Sequence, residues 1–183
     1  MARSAAETTR RAFLGGLAAA AVVAAVPRNA FAALGDIRRL RLDSARSGET
    51  VDVVYYRHGR YDPKALRQID RILRDWRTGE VVRMDRRLID ILSATQYLLG
   101  GRTLTVISGY RSRRTNDALR RRSSGVAKNS YHCKGMACDI RVEGVSVAEI
   151  ERAGRRIGCG GVGIYTRSNF VHIDSGPVRS WGK

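Results

Sequence analysis

The chain has 183 residues, with 34 Lys or Arg against 17 Asp or Glu, a net charge of +17. So large an excess of positive charge favours an anionic partner, and three cysteines allow at most one disulfide within the chain. No zinc-finger spacing or helix-turn-helix pattern supports nucleic acid as that partner.

The N-terminus reads as an export signal rather than as part of a fold. Thr9-Arg10-Arg11-Ala12-Phe13-Leu14 sets an arginine pair before an alanine-rich apolar run that reaches Val26, and Ala30-Phe31-Ala32 offers the small residues a signal peptidase requires. A twin arginine before Phe-Leu resembles the signal for export of folded proteins. The apolar run is shorter than the roughly 20 residues that span a bilayer. A signal peptide over residues 1–32, cleaved near Ala32, is therefore expected instead of a membrane anchor. Residues 33–183 then form one periplasmic domain without a stable membrane span, long enough for a real core. Loss of Arg3, Arg10, Arg11, Arg28 and Glu7 leaves this part at +14. Outside the cytoplasm the available polyanions are cell-wall material and lipid head groups, and DNA is not expected.

Residues 37–57 read as a hairpin. Arg39 to Leu42 and Val51 to Val54 alternate as strands, and Ser47-Gly48 forms the turn. His58, before Gly59, reads as an exposed loop residue. Asp62-Pro63 is a helix start, cap followed by first helical residue. Leu66, Ile69, Ile72, Leu73 and Trp76 form its apolar stripe, and Thr78-Gly79 ends it. A second helix is expected from Asp85 to Leu99, with Leu88, Ile91, Leu92, Thr95 and Leu99 on one face and Gly100 as the stop. Both are scaffold, packed on the sheet with their arginines in solvent. Residues 103–108 read as a strand, 115–122 as a short helix and 123–125 as the start of a loop. Residues 137–142 form a further strand. Ser146 and Glu149 make a capping box for a helix over 146–157. Gly158, Gly160, Gly161 and Gly163 suggest a flexible segment of close approach, and 170–174 is the last strand. The whole is an α+β domain with a small, mainly antiparallel sheet and flanking helices.

Two of the three histidines stand in informative surroundings. His132 and Asp139 lie within Ser130-Tyr131-His132-Cys133-Lys134-Gly135-Met136-Ala137-Cys138-Asp139, and His172 within Phe170-Val171-His172-Ile173-Asp174. Two imidazoles and a carboxylate can hold zinc and leave a fourth position for water, an arrangement suited to hydrolysis. The strand period of two puts Phe170, His172 and Asp174 on one face and turns Val171 and Ile173 toward a core. Asp139 shares a face with the small Ala137 in the same way, and Gly135 allows His132 to approach the strand. By composition alone, the histidines also fit ordinary core or surface positions. Cys133, Cys138 and Cys159 leave three states open: a disulfide with one thiol over, competition for a soft metal, or three reduced thiols.

The stretch from Ser130 to Asp139 resembles the Ser-x-His-x-x-Gly-x-Ala-x-Asp motif of the zinc D,D-peptidase group that includes the D-Ala-D-Ala carboxypeptidases. Ser108-Gly109-Tyr110-Arg111-Ser112 resembles the motif that precedes it there. Residues 170–181 resemble the ending of the envelope branch, the murein endopeptidases formerly called a domain of unknown function. The likeness covers roughly residues 37–182. It implies a zinc D-Ala-D-Ala peptidase-like fold, zinc held by His132, Asp139 and His172, and peptidoglycan or muropeptides as substrate. It also implies that Arg111, with Tyr110 beside it, meets the substrate carboxylate or the developing oxyanion. One position departs from the wider family, which carries an acidic residue three before the last histidine where this chain has Asn169. Asp174 is the replacement candidate, as general base or as a residue that orients His172 or Arg111. The expected activity is cleavage of stem-peptide cross-links. A non-catalytic wall-binding protein and a carboxypeptidase acting on terminal D-amino acids are the alternatives. Neither the bond cleaved nor the oligomeric state is legible.

Overall fold

The computed structural model describes residues 34–182, so the expected signal segment lies outside the described residues. β1 (Ile37–Ser44) buries Leu40 and Leu42 by alternation and pairs antiparallel with β2 (Thr50–Arg57). His58 takes a left-handed φ of 48° in the exposed turn before β3 (Arg60–Tyr61), a short strand the sequence did not announce.

Helix α1 (Pro63–Ile72) starts as expected: the Asp62 carboxylate accepts from the backbone N–H of Lys64 at 2.7 Å and of Ala65 at 3.3 Å. It stops at Ile72, a turn earlier than the apolar stripe suggests, and Trp76 is 41% exposed beneath the Arg77 guanidinium. Three tertiary hydrogen bonds explain the early stop. The Leu73 carbonyl accepts from Tyr110 N–H at 2.7 Å, and buried Asp75 accepts from the N–H and hydroxyl of Ser112 at 2.9 and 2.8 Å. A buried carboxylate left without donors costs more than one lost turn of helix.

Helix α2 (Arg86–Leu98) follows its Asp85 cap and buries Leu88, Ile91 and Leu92. Its Gln96 side chain accepts from Arg41 N–H at 3.0 Å and donates to the carbonyls of Arg41 and Arg102. The amide thus serves backbone groups of β1 just before its pairing with β4 begins at Leu42. Helix α3 (Arg113–Arg122) is capped by Ser112, and α4 (Val147–Arg156) carries the expected Ser146–Glu149 capping box.

The remaining strands are β4 (Leu104–Ser108), β5 (Ala137–Arg141), β6 (Gly161–Tyr165), β7 (Phe170–Asp174) and β8 (Arg179–Trp181). All eight form one sheet in the order β3-β2-β1-β4-β5-β7-β6-β8. Among the described residues only β1–β4 and β6–β8 run parallel, so the sheet is mainly antiparallel, as expected. The glycine-rich segment, expected to be flexible, instead supplies β6, hydrogen-bonded on both sides to β7 and β8. Its close-approach character does hold. A β-carbon on Gly161 would meet Arg179 Nη1 at 2.4 Å, and one on Gly163 would meet the Trp181 ring at 2.4 Å.

Helices α1, α2 and α4 pack on the sheet through β1, β2, β6 and β7. Leu42, Val106, Ile140, Val171 and Ile173 meet Ile69, Leu88, Leu92 and Ile150 there. The alternate residues of the central strands line up across the opposite face. Ser108 pairs with Asp139, Asp139 with His172, His172 with Gly163 and Gly163 with Trp181. One step along, Ala137, Asp174, Gly161 and Arg179 form a second row. Those two rows build the site.

Candidate metal centre

His132 arrives on a one-turn 3-10 helix, Tyr131–Lys134, capped by Ser130 and closed by Gly135 at a left-handed φ of 67°. Its Nδ1–H donates to the Gly109 carbonyl at 2.6 Å, which leaves the Nε2 lone pair facing the sheet. A β-carbon at position 109 would stand 2.3 Å from the Leu73 carbonyl oxygen, so only glycine lets this loop lie against the end of α1. The Ser108 to Ser112 motif is therefore first a support for His132.

His172 uses its other nitrogen. Its Nε2–H donates to Asp174 Oδ2 at 3.0 Å, so Nδ1 carries the free lone pair. His132 Nε2, His172 Nδ1 and Asp139 Oδ1 form a triangle with sides of 3.1, 2.9 and 3.1 Å. A tetrahedral ion with bonds of about 2.05 Å separates its ligands by about 3.3 Å, so this donor set suits zinc. Two neutral imidazoles and one carboxylate also match its preference for nitrogen and hard oxygen. His132, Asp139 and His172 thus make a single divalent-metal site, that of zinc.

The two imidazoles differ in protonation: at His172 burial is outweighed by the bonds to Asp139 and Asp174, which raise its pKa. Burial, aided by the Arg111 charge, pushes the His132 pKa down and favours the neutral, ligating form. Burial alone would raise Asp139, but the close approach of His132 and His172 outweighs it and holds its carboxyl far below the ordinary range. Burial likewise works to raise Asp174, but the bonds from His172, Arg179 and Gly176 overcome it and hold the carboxyl below its ordinary range.

Arg111 binds the outer oxygen of the ligand carboxylate: Nη2 donates to Asp139 Oδ2 at 2.5 Å and Nε to Ser108 Oγ at 2.9 Å. It also lines a cavity of about 490 Å³ that has all three ligands in its wall. Tyr110, expected beside it, does not line this cavity. Its hydroxyl donates to Glu80 Oε1 at 2.8 Å, because consecutive residues of an extended segment point apart.

Asp174 is fully buried behind His172. Its two oxygens accept from His172 Nε2, from Gly161 and Gly176 N–H at 3.1 and 2.8 Å, and from both Nη groups of Arg179. Asn169 does not line the cavity, although its neighbours Ser168 and Phe170 do; it sits in the hairpin turn between β6 and β7 at φ 52°, a conformation asparagine tolerates. The three cysteines are free thiols. Cys138 and Cys159 are core residues, burial pushes the Cys138 thiol well up, and neither stands in the group of His132, Asp139 and His172. That resolves the three states left open by sequence in favour of reduced thiols.

Several cavity residues carried no assignment from sequence. Tyr165 and Phe170 stack at 4.6 Å, Trp181 Nε1–H donates to the Tyr165 hydroxyl at 3.0 Å, and the Trp181 ring lies 5.2 Å from His172. Tyr131, Ser130 and Arg179 complete much of the wall. Their sequence signal was the strand period running outward from His172, which stops at the unannounced β6 and β8.

A mainly antiparallel α+β sheet that presents two histidines and an aspartate to an open cavity defines a zinc metallopeptidase. The model of the peptidoglycan L,D-endopeptidase MepK family matches residues 32–181, and the chain belongs to that family. It is 43% identical over 171 residues, 92% of this chain and 93% of the relative, to peptidoglycan L,D-endopeptidase MepK of Escherichia coli K12. It is 41% identical over 146 residues, 79% and 78% of the two chains, to the probable peptidoglycan L,D-endopeptidase MepK of Haemophilus influenzae. The protein is a zinc-dependent peptidoglycan endopeptidase. Its polymer lies outside the cytoplasmic membrane, which makes it a secreted, periplasmic enzyme. No helix among the described residues is long and apolar enough to cross a membrane.

Proposed function

We propose that the enzyme cleaves the L,D amide in peptide cross-links of peptidoglycan, releasing one stem from its neighbour. The observation that carries this reading is 43% identity across 92% of the chain to an L,D-endopeptidase, with the ligand triangle complete. Zinc, when bound, lowers the pKa of its water and polarises the scissile carbonyl. Arg111 holds Asp139 in its ligating position and offsets the negative charge that gathers on the carbonyl oxygen in the transition state. Asp174 positions His172. Its oxygens are filled by donors and it has no exposed surface, which supports orientation over the general-base role. Residues 1–32 act as a twin-arginine signal cleaved near Ala32, and the intact mass of the exported protein checks that boundary.

The test is digestion of purified cross-linked muropeptides with product masses read out, with and without a chelator. Chelator-sensitive conversion of L,D-linked dimers to monomers is expected. Cleavage of D,D-linked dimers alone refutes the bond assignment. No cleavage by folded, zinc-loaded protein favours the wall-binding alternative.

A further inference from the structure

Arg179 is held in a way that leaves part of its guanidinium available. Nη1 donates to Asp174 Oδ1 at 3.1 Å and to the Pro177 carbonyl at 3.0 Å, and Nη2 donates to Asp174 Oδ2 at 2.6 Å. Of the five N–H donors of an arginine, these contacts use three. The two left over are Nε–H and the outer hydrogen of Nη2, which lie along one edge of the planar group. No protein acceptor meets that edge among the described residues. Yet the group is fixed: Asp174 grips it from beneath, and its Cζ lies 5.1 Å from the Tyr131 ring centroid and 4.8 Å from that of Trp181. Its side chain is 38% exposed, and Arg179, Tyr131 and Trp181 all line the cavity that holds the metal ligands. Through Asp174 it is two hydrogen bonds and one imidazole ring from the ligand atom His172 Nδ1.

A free, pre-oriented guanidinium edge matches a carboxylate, which takes two parallel N–H bonds. Because one fork is already neutralised by a buried carboxylate, the second meets an anion without having to be ordered first. The L,D bond places such an anion nearby: the nitrogen released from an L-configured carbonyl sits on a D-configured carbon that bears its own carboxyl group. We infer that Arg179 is a specificity-determining residue that binds the free carboxylate on the amine side of the scissile bond, adjacent to the nitrogen. This rests on the L,D reading above. Arg111, tied to the ligand Asp139, stays with the carbonyl side.

The test uses binding of the amine-side product, which requires no turnover. Calorimetry compares zinc-loaded enzyme titrated with a product muropeptide whose carboxyl is free and with the same fragment carrying a carboxamide. The wild type is expected to favour the free acid at least tenfold. In Arg179→Lys, which keeps the charge and loses the fork, the ratio should fall toward one with zinc content unchanged, and KM for dimers should rise more than kcat falls. Equal affinity of the wild type for acid and amide overturns the assignment, whatever the variant does. So does a preference that survives in a zinc-loaded Arg179→Lys protein. Clear discrimination together with failure to cut L,D dimers would refute the bond assignment and leave the carboxylate site standing.

Discussion

Replacing Asp174 with asparagine is the sharpest perturbation of the metal centre that changes no ligand. The carboxylate accepts from Gly161 N–H, Gly176 N–H and Arg179 Nη1 on Oδ1, and from His172 Nε2 and Arg179 Nη2 on Oδ2. Asparagine keeps one acceptor oxygen. The cheaper orientation leaves that oxygen with the three donors of the Oδ1 side, which turns the amide NH2 toward His172 Nε2 and Arg179 Nη2. An N–H now faces an N–H unless His172 moves its proton to Nδ1. Nδ1 is the ligating atom, so the tautomer that relieves the clash removes a metal ligand. Loss of such an orienting partner costs metal affinity about 10- to 100-fold, or about 1.4 to 2.7 kcal/mol. The assay is a zinc titration against a competing chelator, with circular dichroism to confirm the fold. Zinc affinity equal to wild type in a folded Asp174→Asn protein would refute the positioning role and return Asp174 to the list of possible bases.

Gly163→Ala puts a β-carbon 2.4 Å from the Trp181 ring, which must leave both its strand position and His172. Overpacking of this kind costs about 1–3 kcal/mol. A melting temperature several degrees lower and a reduced kcat/KM are expected, and an unchanged pair of values would show that Trp181 has no fixed place. A third prediction concerns acid stability. Burial works to raise the Asp75 pKa, but hydrogen bonds from Thr115 and Ser112 outweigh it and hold the group below its ordinary value. A depressed carboxylate stabilises the fold fully above its unfolded pKa of about 3.9, and that contribution fades as pH falls through the folded value. Asp75→Asn should lower the melting temperature at neutral pH and flatten its decline between about pH 5 and pH 3. Parallel curves for the two proteins would count against this.

The ligand set was legible because family motifs mark it and each ligand sits in a strand or tight turn whose own pattern helps to orient it. Val171 and Ile173 turn inward, so His172 turns outward, and no distant contact is needed to know it. The strands beyond were hidden. Gly161 and Gly163 depress local strand preference, and what makes β6 a strand is pairing with β7 and β8, which no local pattern encodes. Arg179 and Trp181 were visible only as part of a family ending. Their places depend on the two glycines opposite them. Tyr110 shared a motif with Arg111 but not its direction.

The sequence by itself determined the helix starts, the α+β class and the need for an anionic partner, because caps, strand period and charge act over a few residues, and its likeness to a family's motifs marked the three ligands. Tertiary structure decided the rest. It ended α1 at Ile72 so that Asp75 could reach Ser112, chose the ligating nitrogen of each histidine through Gly109 and Asp174, and kept the three thiols free. Each of these is a bond between groups far apart in the chain, and buried polar groups take whichever partners the packed fold brings within reach.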